Sequence, residues 1–198
     1  MEPAPSVSEI LPGVFRWEMF SPEHKVELTA HAVAVAGELF CFDPIPLEEA
    51  PLASLTRRTR PVAIILTNEN HERDARNWRG RFQVPVWADI DAGVEVGNVH
   101  RFRPGQSEWN GWRVQRVRGG GGGEMAFRRP ELSLAILGDA VINLPPRGLE
   151  VLPDKYCRDP RALRESLREF VGEPFERLLT AHGAPVLSGA SARLGALL

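Results

Sequence analysis

Short apolar runs and alternating apolar and polar positions fill the first part of the chain, and both patterns are typical of β-strands. The strands predicted here comprise residues 9–20, 29–36 and 39–42. The last two form a hairpin signal that turns at Gly37. Residues 47–58 carry helix-forming side chains, and this pattern stops before Pro61. The chain is therefore predicted to begin with strands that lead into one helix.

An apolar run rich in Ile and Val begins at Pro61 and predicts a buried strand. It breaks abruptly into the polar segment Thr67 to Asp74, and a short helix is predicted over residues 74–79. A strand that ends in concentrated polar chemistry before a helix is how α/β proteins build sites at the carboxyl ends of strands. The segment 67–74 is therefore the first candidate site.

The remaining pattern alternates further strands with helices. The strands predicted here comprise residues 84–88, 94–103, 109–118, 124–127 and 132–137. An amphipathic helix over residues 161–171 follows the Asp159-Pro160 start signal, and shorter helices are predicted over 175–179 and 191–198. This order indicates a layered α/β architecture in one domain that comprises residues 1–198.

Composition narrows the class of protein. The chain has 198 residues, 43% of them hydrophobic and 25% charged, with a formal net charge of −2. This balance gives no general attraction for a polyanion, so no nucleic-acid partner is expected. No apolar run approaches the roughly 20 residues that span a bilayer, so no membrane association is expected either. Two isolated cysteines and the lack of a signal-peptide pattern favour the cytoplasm, and Cys41 is expected to be a buried, inert thiol.

Two more strand ends carry isolated polar residues. Asp139 follows the apolar strand 132–137 in Gly138-Asp139, and His182 lies between Ala181 and Gly183. Each has an ordinary structural explanation when it is taken alone. Asp139 can terminate a strand, and His182 can be a satisfied histidine of a turn.

Taken in order with the first site, these pieces resemble the metallo-β-lactamase-fold hydrolases. That family carries THxHxDH after a strand, then a GH in a Gly-rich loop, a GD after another strand, and a GHG near the end. The corresponding segments here are Thr67–Arg73, Gly119–Gly123, Gly138–Asp139 and Ala181–Gly183. The resemblance extends over roughly residues 9–198 and implies a four-layer αββα sandwich with a dinuclear metal site.

The resemblance also implies that the first metal position is destroyed. Asn68 and Asn70 stand where two histidines would hold that metal, and Gly120 stands where its third histidine would be. An amide is a weak zinc ligand, and glycine offers no side chain. At least this half of the site is therefore expected to bind no ion.

The second metal position is partly retained by the same comparison. Asp139 and His182 match the family, whereas Glu72 replaces its Asp and Arg73 replaces its His. Glu72, Asp139 and His182 are the candidate ligands of a single zinc, manganese or iron ion. A competing hypothesis is that the Arg73 guanidinium substitutes for the metal by pairing with Asp139.

Two alternatives remain open at the level of sequence. A shifted register of the motif would bring His71 and Asp74 inward instead. The preferred function is a non-catalytic protein that retains a pocket for a small molecule and binds no metal. The alternative is a mononuclear hydrolase of esters, thioesters or lactones.

Overall fold

The computed structural model describes residues 2–198. Its first seven strands are β1 (Ser8–Leu11), β2 (Val14–Ser21), β3 (Val26–Val35), β4 (Glu38–Phe42), β5 (Arg60–Ile65), β6 (Val86–Asp89) and β7 (Val99–Phe102). The later strands are β8 (Glu108–Trp109), β9 (Trp112–Arg116), β10 (Met125–Arg129), β11 (Leu134–Leu137), β12 (Val141–Leu144), β13 (Gly148–Val151) and β14 (Arg177–Thr180). The α-helices are α1 (Glu49–Thr56), α2 (Ala75–Phe82), α3 (Pro160–Val171) and α4 (Ala190–Gly195).

The chain forms two compact units. The first comprises the residues up to Leu66 together with Asn70–Ala88 and Val94–Arg101. It carries a seven-stranded sheet in the order β1-β2-β3-β4-β5-β6-β7, in which β4, β5 and β6 run parallel. The backbone N–H of Asp43 donates to the carbonyl of Ile65 at 2.9 Å, so β4 and β5 end side by side. Polar residues that follow these two strands therefore collect at one edge of the sheet.

The second unit comprises Thr67–Glu69, Asp89–Gly93 and Phe102–Leu198. Its five-stranded sheet has the order β14-β11-β10-β9-β8, and β12 and β13 form a separate hairpin. The strands β11 and β14 are parallel and pair Leu137 with Thr180 at their carboxyl ends. This pairing brings the segments after residues 137 and 180 to the same edge of the sheet.

Helix α3 supports the core of the second unit. The Asp159 carboxylate accepts hydrogen bonds from the backbone N–H groups of Arg161 and Ala162, both at 3.0 Å, and Pro160 occupies the first helical position. The helix buries Leu163 and Phe170, among other residues, at the spacing of one helical face. The predicted amphipathic helix over 161–171 is therefore confirmed.

The predicted helix over 175–179 is wrong. Residues 177–180 form β14 instead, with Leu178 and Leu179 fully buried. A short apolar run does not by itself distinguish a buried strand from a helix, and here the parallel pairing with β11 decides the outcome.

Two other predictions need smaller corrections. The predicted strand 109–118 is a hairpin of β8 and β9 that turns at Asn110 and Gly111, both with positive φ. The predicted strand 94–103 is shorter, since only Val99–Phe102 pairs. The hairpin of β12 and β13 was not predicted.

No helix among residues 2–198 is both long and apolar enough to cross a membrane.

The environments of the two cysteines differ. Cys41 is completely buried in β4, and burial raises the pKa of its thiol far above the usual range, as expected for an inert thiol. Cys157 is half-buried, and burial also raises the pKa of its thiol.

We expect a thiol-specific reagent to modify one cysteine in the native protein and two in urea, because the reagent needs an accessible thiolate. A colorimetric thiol titration measures both numbers. Cys157→Ser should abolish the native signal, whereas Cys41→Ser should leave it unchanged. A native signal that survives Cys157→Ser would contradict the buried position of Cys41.

Candidate metal site

Asp139 and His182 meet at the shared edge of β11 and β14. Nε2 of His182 lies 3.1 Å from Oδ1 of Asp139, and the two side chains are 13% and 20% exposed. At this distance a proton must lie between the two atoms or a cation must bind both, since two lone pairs facing each other would repel. Asp139 and His182 therefore either share a hydrogen bond or serve as two ligands of one ion.

The second oxygen of Asp139 belongs to a buried network. Nδ2 of Asn68 donates to Oδ2 of Asp139 at 3.0 Å and to Oε2 of Glu124 at 2.9 Å. Oε1 of Glu124 accepts the backbone N–H of Ala140 at 3.0 Å. Because both neighbours of Nδ2 are carboxylates, the Asn68 amide must present its NH₂ group to them. Asn68 and Glu124 are 0% and 1% exposed.

Two glycines make room for this network. A Cβ on Gly138 would lie 2.5 Å from Oγ1 of Thr67 and 2.8 Å from Oε1 of Glu124, so a larger residue would displace both side chains. A Cβ on Gly120 would lie 3.4 Å from Cγ of Glu124. The side chain of Glu124 therefore lies beside the residue that stands at the family's third histidine.

In the first unit, His71 is held by a carboxylate. Its Nδ1 lies 3.0 Å from Oδ2 of Asp43, and the two side chains are 3% and 4% exposed. A carboxylate at Nδ1 fixes the proton there, so that Nε2 of the neutral ring keeps its lone pair. This arrangement is typical of a histidine that serves as a metal ligand through Nε2.

Arg73 is anchored on backbone carbonyl groups. One of its terminal nitrogens donates to the carbonyl oxygens of Thr29 at 2.8 Å and of Asp43 at 3.2 Å. The backbone of Arg73 and that of Asp43 both adopt the left-handed region, with φ of 39° and 48°. Such conformations are costly for residues with a Cβ and concentrate at functional sites. The predicted pairing of Arg73 with Asp139 stays a prediction.

The other predicted site residues have local partners. The Glu72 carboxylate accepts the backbone N–H of Glu95 at 2.5 Å, and its role as a ligand stays a prediction. Asp74 accepts a hydrogen bond from Asn77 at 2.6 Å, and burial raises the pKa of its carboxyl. Asn70 is exposed in a short 3₁₀ turn.

Glu124 was absent from the sequence-based site. The one sequence feature that marks Glu124 is its position, since it is an acid directly after a glycine run and at the start of an apolar strand. Asp43 was likewise not among the predicted site residues. Both act through contacts between residues far apart in the sequence, and no spacing rule reveals such contacts.

We expect Asn68→Asp to lower the free energy of unfolding by about 3 kcal/mol at pH 7, because it replaces the shared donor by a third carboxylate. Urea denaturation with a chelator present measures the loss. The loss should shrink towards pH 4, where protonation relieves the repulsion. Asn110→Asp, in an exposed turn, is the matched control and should change little. Equal losses in the two variants would contradict the buried network.

Comparison with solved structures identifies the fold of the chain. Neither a family model nor a curated protein matches the sequence. Among solved structures, the DIM-1 metallo-β-lactamase superposes with a TM-score of 0.77 at 13% identity over 99% of this chain and 98% of its own. A metallo-β-lactamase from Erythrobacter litoralis gives 0.75 at 16% over 96% and 94%. TTHA1623, crystallised in a di-iron-bound form, gives 0.67 at 23% over 89% and 97%. The fold predicted from the sequence is thus confirmed, and the chain has the fold of the metallo-β-lactamase superfamily.

Proposed function

We propose that this chain is a mononuclear metal-dependent hydrolase of ester, thioester or lactone bonds, built on a metallo-β-lactamase fold that has lost the first of two metal positions. The observation that carries the proposal is the buried Asp43–His71 pair. Burying such a pair costs free energy of desolvation, and the contact of Nδ1 with Asp43 orients the ring as in a histidine that ligates a metal through Nε2.

The donor chemistry does not fit a first ion. Asn68 turns its NH₂ group towards two carboxylates, and an amide nitrogen has no lone pair available for a metal. Asn70 is exposed, and Gly120 has no side chain. No step of the reaction is therefore assigned to a first ion.

The donor chemistry does fit one ion. Asp139 and His182 offer a carboxylate oxygen and an imidazole nitrogen, and we propose Nε2 of His71 as the third ligand atom. This set suits zinc, iron or manganese. The proposal takes the shifted register of the motif, so that His71 replaces Glu72 as the third ligand. Arg73 then holds the backbone within β3 and directly after β4, through the carbonyls of Thr29 and Asp43, rather than replacing an ion.

The chain's own residues orient these ligands. Asp43 fixes the tautomer and the plane of the His71 ring. Asn68 holds Oδ2 of Asp139 and so directs Oδ1 towards Nε2 of His182. When bound, a divalent ion would polarise a substrate carbonyl and lower the pKa of a water molecule.

A non-catalytic binding protein is the second candidate. The observation that favours it is the Asn68 bridge, which satisfies two carboxylates without an ion. Under this hypothesis Asp139 and His182 share a proton, and the protein hydrolyses none of the three bond types. Metal content separates the two candidates.

We expect protein purified without chelator to contain one zinc, manganese or iron ion per chain, measured by mass spectrometry of the elements. Asp139→Ala and His182→Ala should each reduce the content below 0.1 ion per chain, because two ligands hold such an ion poorly. The exposed His24→Ala is the control and should keep its ion. Two ions per chain, or none after incubation with each metal, would contradict the proposal.

We expect Asp43→Asn to weaken the affinity for the ion by about 10- to 100-fold, because His71 loses the carboxylate that fixes its tautomer. Competition with a fluorescent chelator measures the dissociation constant. Hydrolysis of 4-nitrophenyl acetate, a simple thioester and a γ-lactone by the loaded protein should fall in parallel. An unchanged dissociation constant would remove His71 from the ligand set.

A further inference from the structure

A polar cavity separate from the candidate metal site lies in the first unit, between α2 and the strand β7. It has a volume of about 650 Å³, within the range of small-molecule sites. Its polar lining side chains are Arg76, Arg79, Gln83, Asn98 and His100. We propose that this cavity, referred to below as the α2 cavity, binds the phosphate group of a small phosphorylated molecule.

The charge of the lining supports an anionic ligand. Two guanidinium groups, one imidazole and two carboxamides line the α2 cavity, and no carboxylate does. Every one of these side chains can donate hydrogen bonds, and the two guanidinium groups cannot accept any. The positive charge of the lining therefore favours a ligand that supplies acceptors and negative charge.

Arg79 is the central cation of the α2 cavity. Its guanidinium donates to the carbonyl oxygens of Val96 and Gly97, both at 3.1 Å. Within residues 2–198 no carboxylate lies at ion-pair distance from it, so its charge is held in place without being neutralised. Arg76 donates to the carbonyl of Glu95 at 3.2 Å and forms a long ion pair of 4.0 Å with Glu72, so its charge is only weakly compensated. Guanidinium groups that are fixed in advance lose little entropy on binding an anion.

The helix spacing directs these groups to one side. Arg76 and Arg79 lie at i and i+3 on one face of α2, and Gln83 is the left-handed residue that follows the last turn of the helix. Gly80 lies on the same face, and a Cβ there would meet no atom within 4 Å. The missing side chain at Gly80 therefore keeps this face open.

The far wall supplies an apolar surface beside the donors. His100 packs against Trp87 with ring centroids 4.9 Å apart and ring planes tilted by 31°, and Val84 and Pro85 complete the lining. A phosphate alone would fill little of 650 Å³. The size and the mixed wall therefore favour an organic phosphate over the free ion.

Phosphate fits this donor set better than a carboxylate does. A carboxylate is satisfied by one bidentate guanidinium, whereas a phosphate monoester presents three terminal oxygens to several donors at once. The alternative explanation is structural, because cations in the last turn of a helix also complement its dipole. Arg81 tests this alternative, since it lies in the same turn but pairs with Glu49 at 2.5 Å.

The test is isothermal titration calorimetry of the full chain at low salt, with phenyl phosphate, inorganic phosphate and acetate as probes. We expect saturable binding of phenyl phosphate, with acetate at least tenfold weaker. Inorganic phosphate that binds as tightly as phenyl phosphate would identify the free ion as the ligand and still support phosphate recognition. Acetate that binds equally well, or no saturable binding of either phosphate, would overturn the proposal.

Variants locate the binding. Arg79→Gln should weaken phenyl phosphate at least tenfold, and Gly80→Glu should do the same by placing an acid on the open face. Arg81→Gln is the matched control on α2 and should bind as the wild type does. His182→Ala should also bind normally, which separates this cavity from the proposed ion. Equal losses in Arg79→Gln and Arg81→Gln, or lost binding in His182→Ala, would overturn the assignment.

Discussion

Parallel strand pairing is the constraint on which the candidate site depends. Parallel neighbours end at the same edge of a sheet, so residues distant in sequence meet there. The strands β11 and β14 bring Asp139 and His182 within 3.1 Å in this way. The strands β4 and β5 end together by the same rule, and Asp43 and His71 follow them. Antiparallel pairing at either place would send one member of each pair to the opposite edge.

The amide of Asn68 shows what a neutral group does between two carboxylates. It donates one N–H to Glu124 and one to Asp139, so one oxygen of each carboxylate has a hydrogen-bond donor. It carries no formal charge, however, and so it cannot balance two acids as a divalent cation would. The remaining oxygen of Asp139 faces Nε2 of His182. The network thus agrees with the single ion that we propose at Asp139 and His182.

The sequence predicted the fold better than the site. The metallo-β-lactamase fold was implied by a resemblance to that family in the order and spacing of four motif segments. Most strands were predicted separately, because apolar runs and glycine turns are local signals. The amphipathic helix α3 was predicted from its cap and its spacing. The strand β14 was mispredicted as a helix, because a four-residue apolar run has no clear period. Its identity follows only from pairing with β11, and the position of His182 depends on that pairing.

The roles within the site were less predictable for a related reason. A motif assigns ligands by position, but the orientation of a side chain depends on what surrounds it. His71 occupies a spacer position of the family motif, and only its contact with Asp43 identifies it as an oriented imidazole. No spacing within a motif predicts the role of Glu124, since its partners Asn68 and Ala140 belong to other segments of the chain.

Stability alone does not account for the buried Asn68–Glu124 contact in the second unit or for the buried Asp43–His71 pair in the first. Burying carboxylates costs free energy that their hydrogen bonds only partly return, and well-packed apolar residues of similar volume are often as stable. Asn68, Glu124, Asp43 and His71 are each at most 3% exposed. Selection for stability alone would not be expected to retain two carboxylates that share the amide of Asn68. The same holds for the histidine that is fixed by the carboxylate of Asp43. The single-ion site that we propose would give these groups a role, since Asp139 and His182 are 20% and 13% exposed and solvent can reach both side chains.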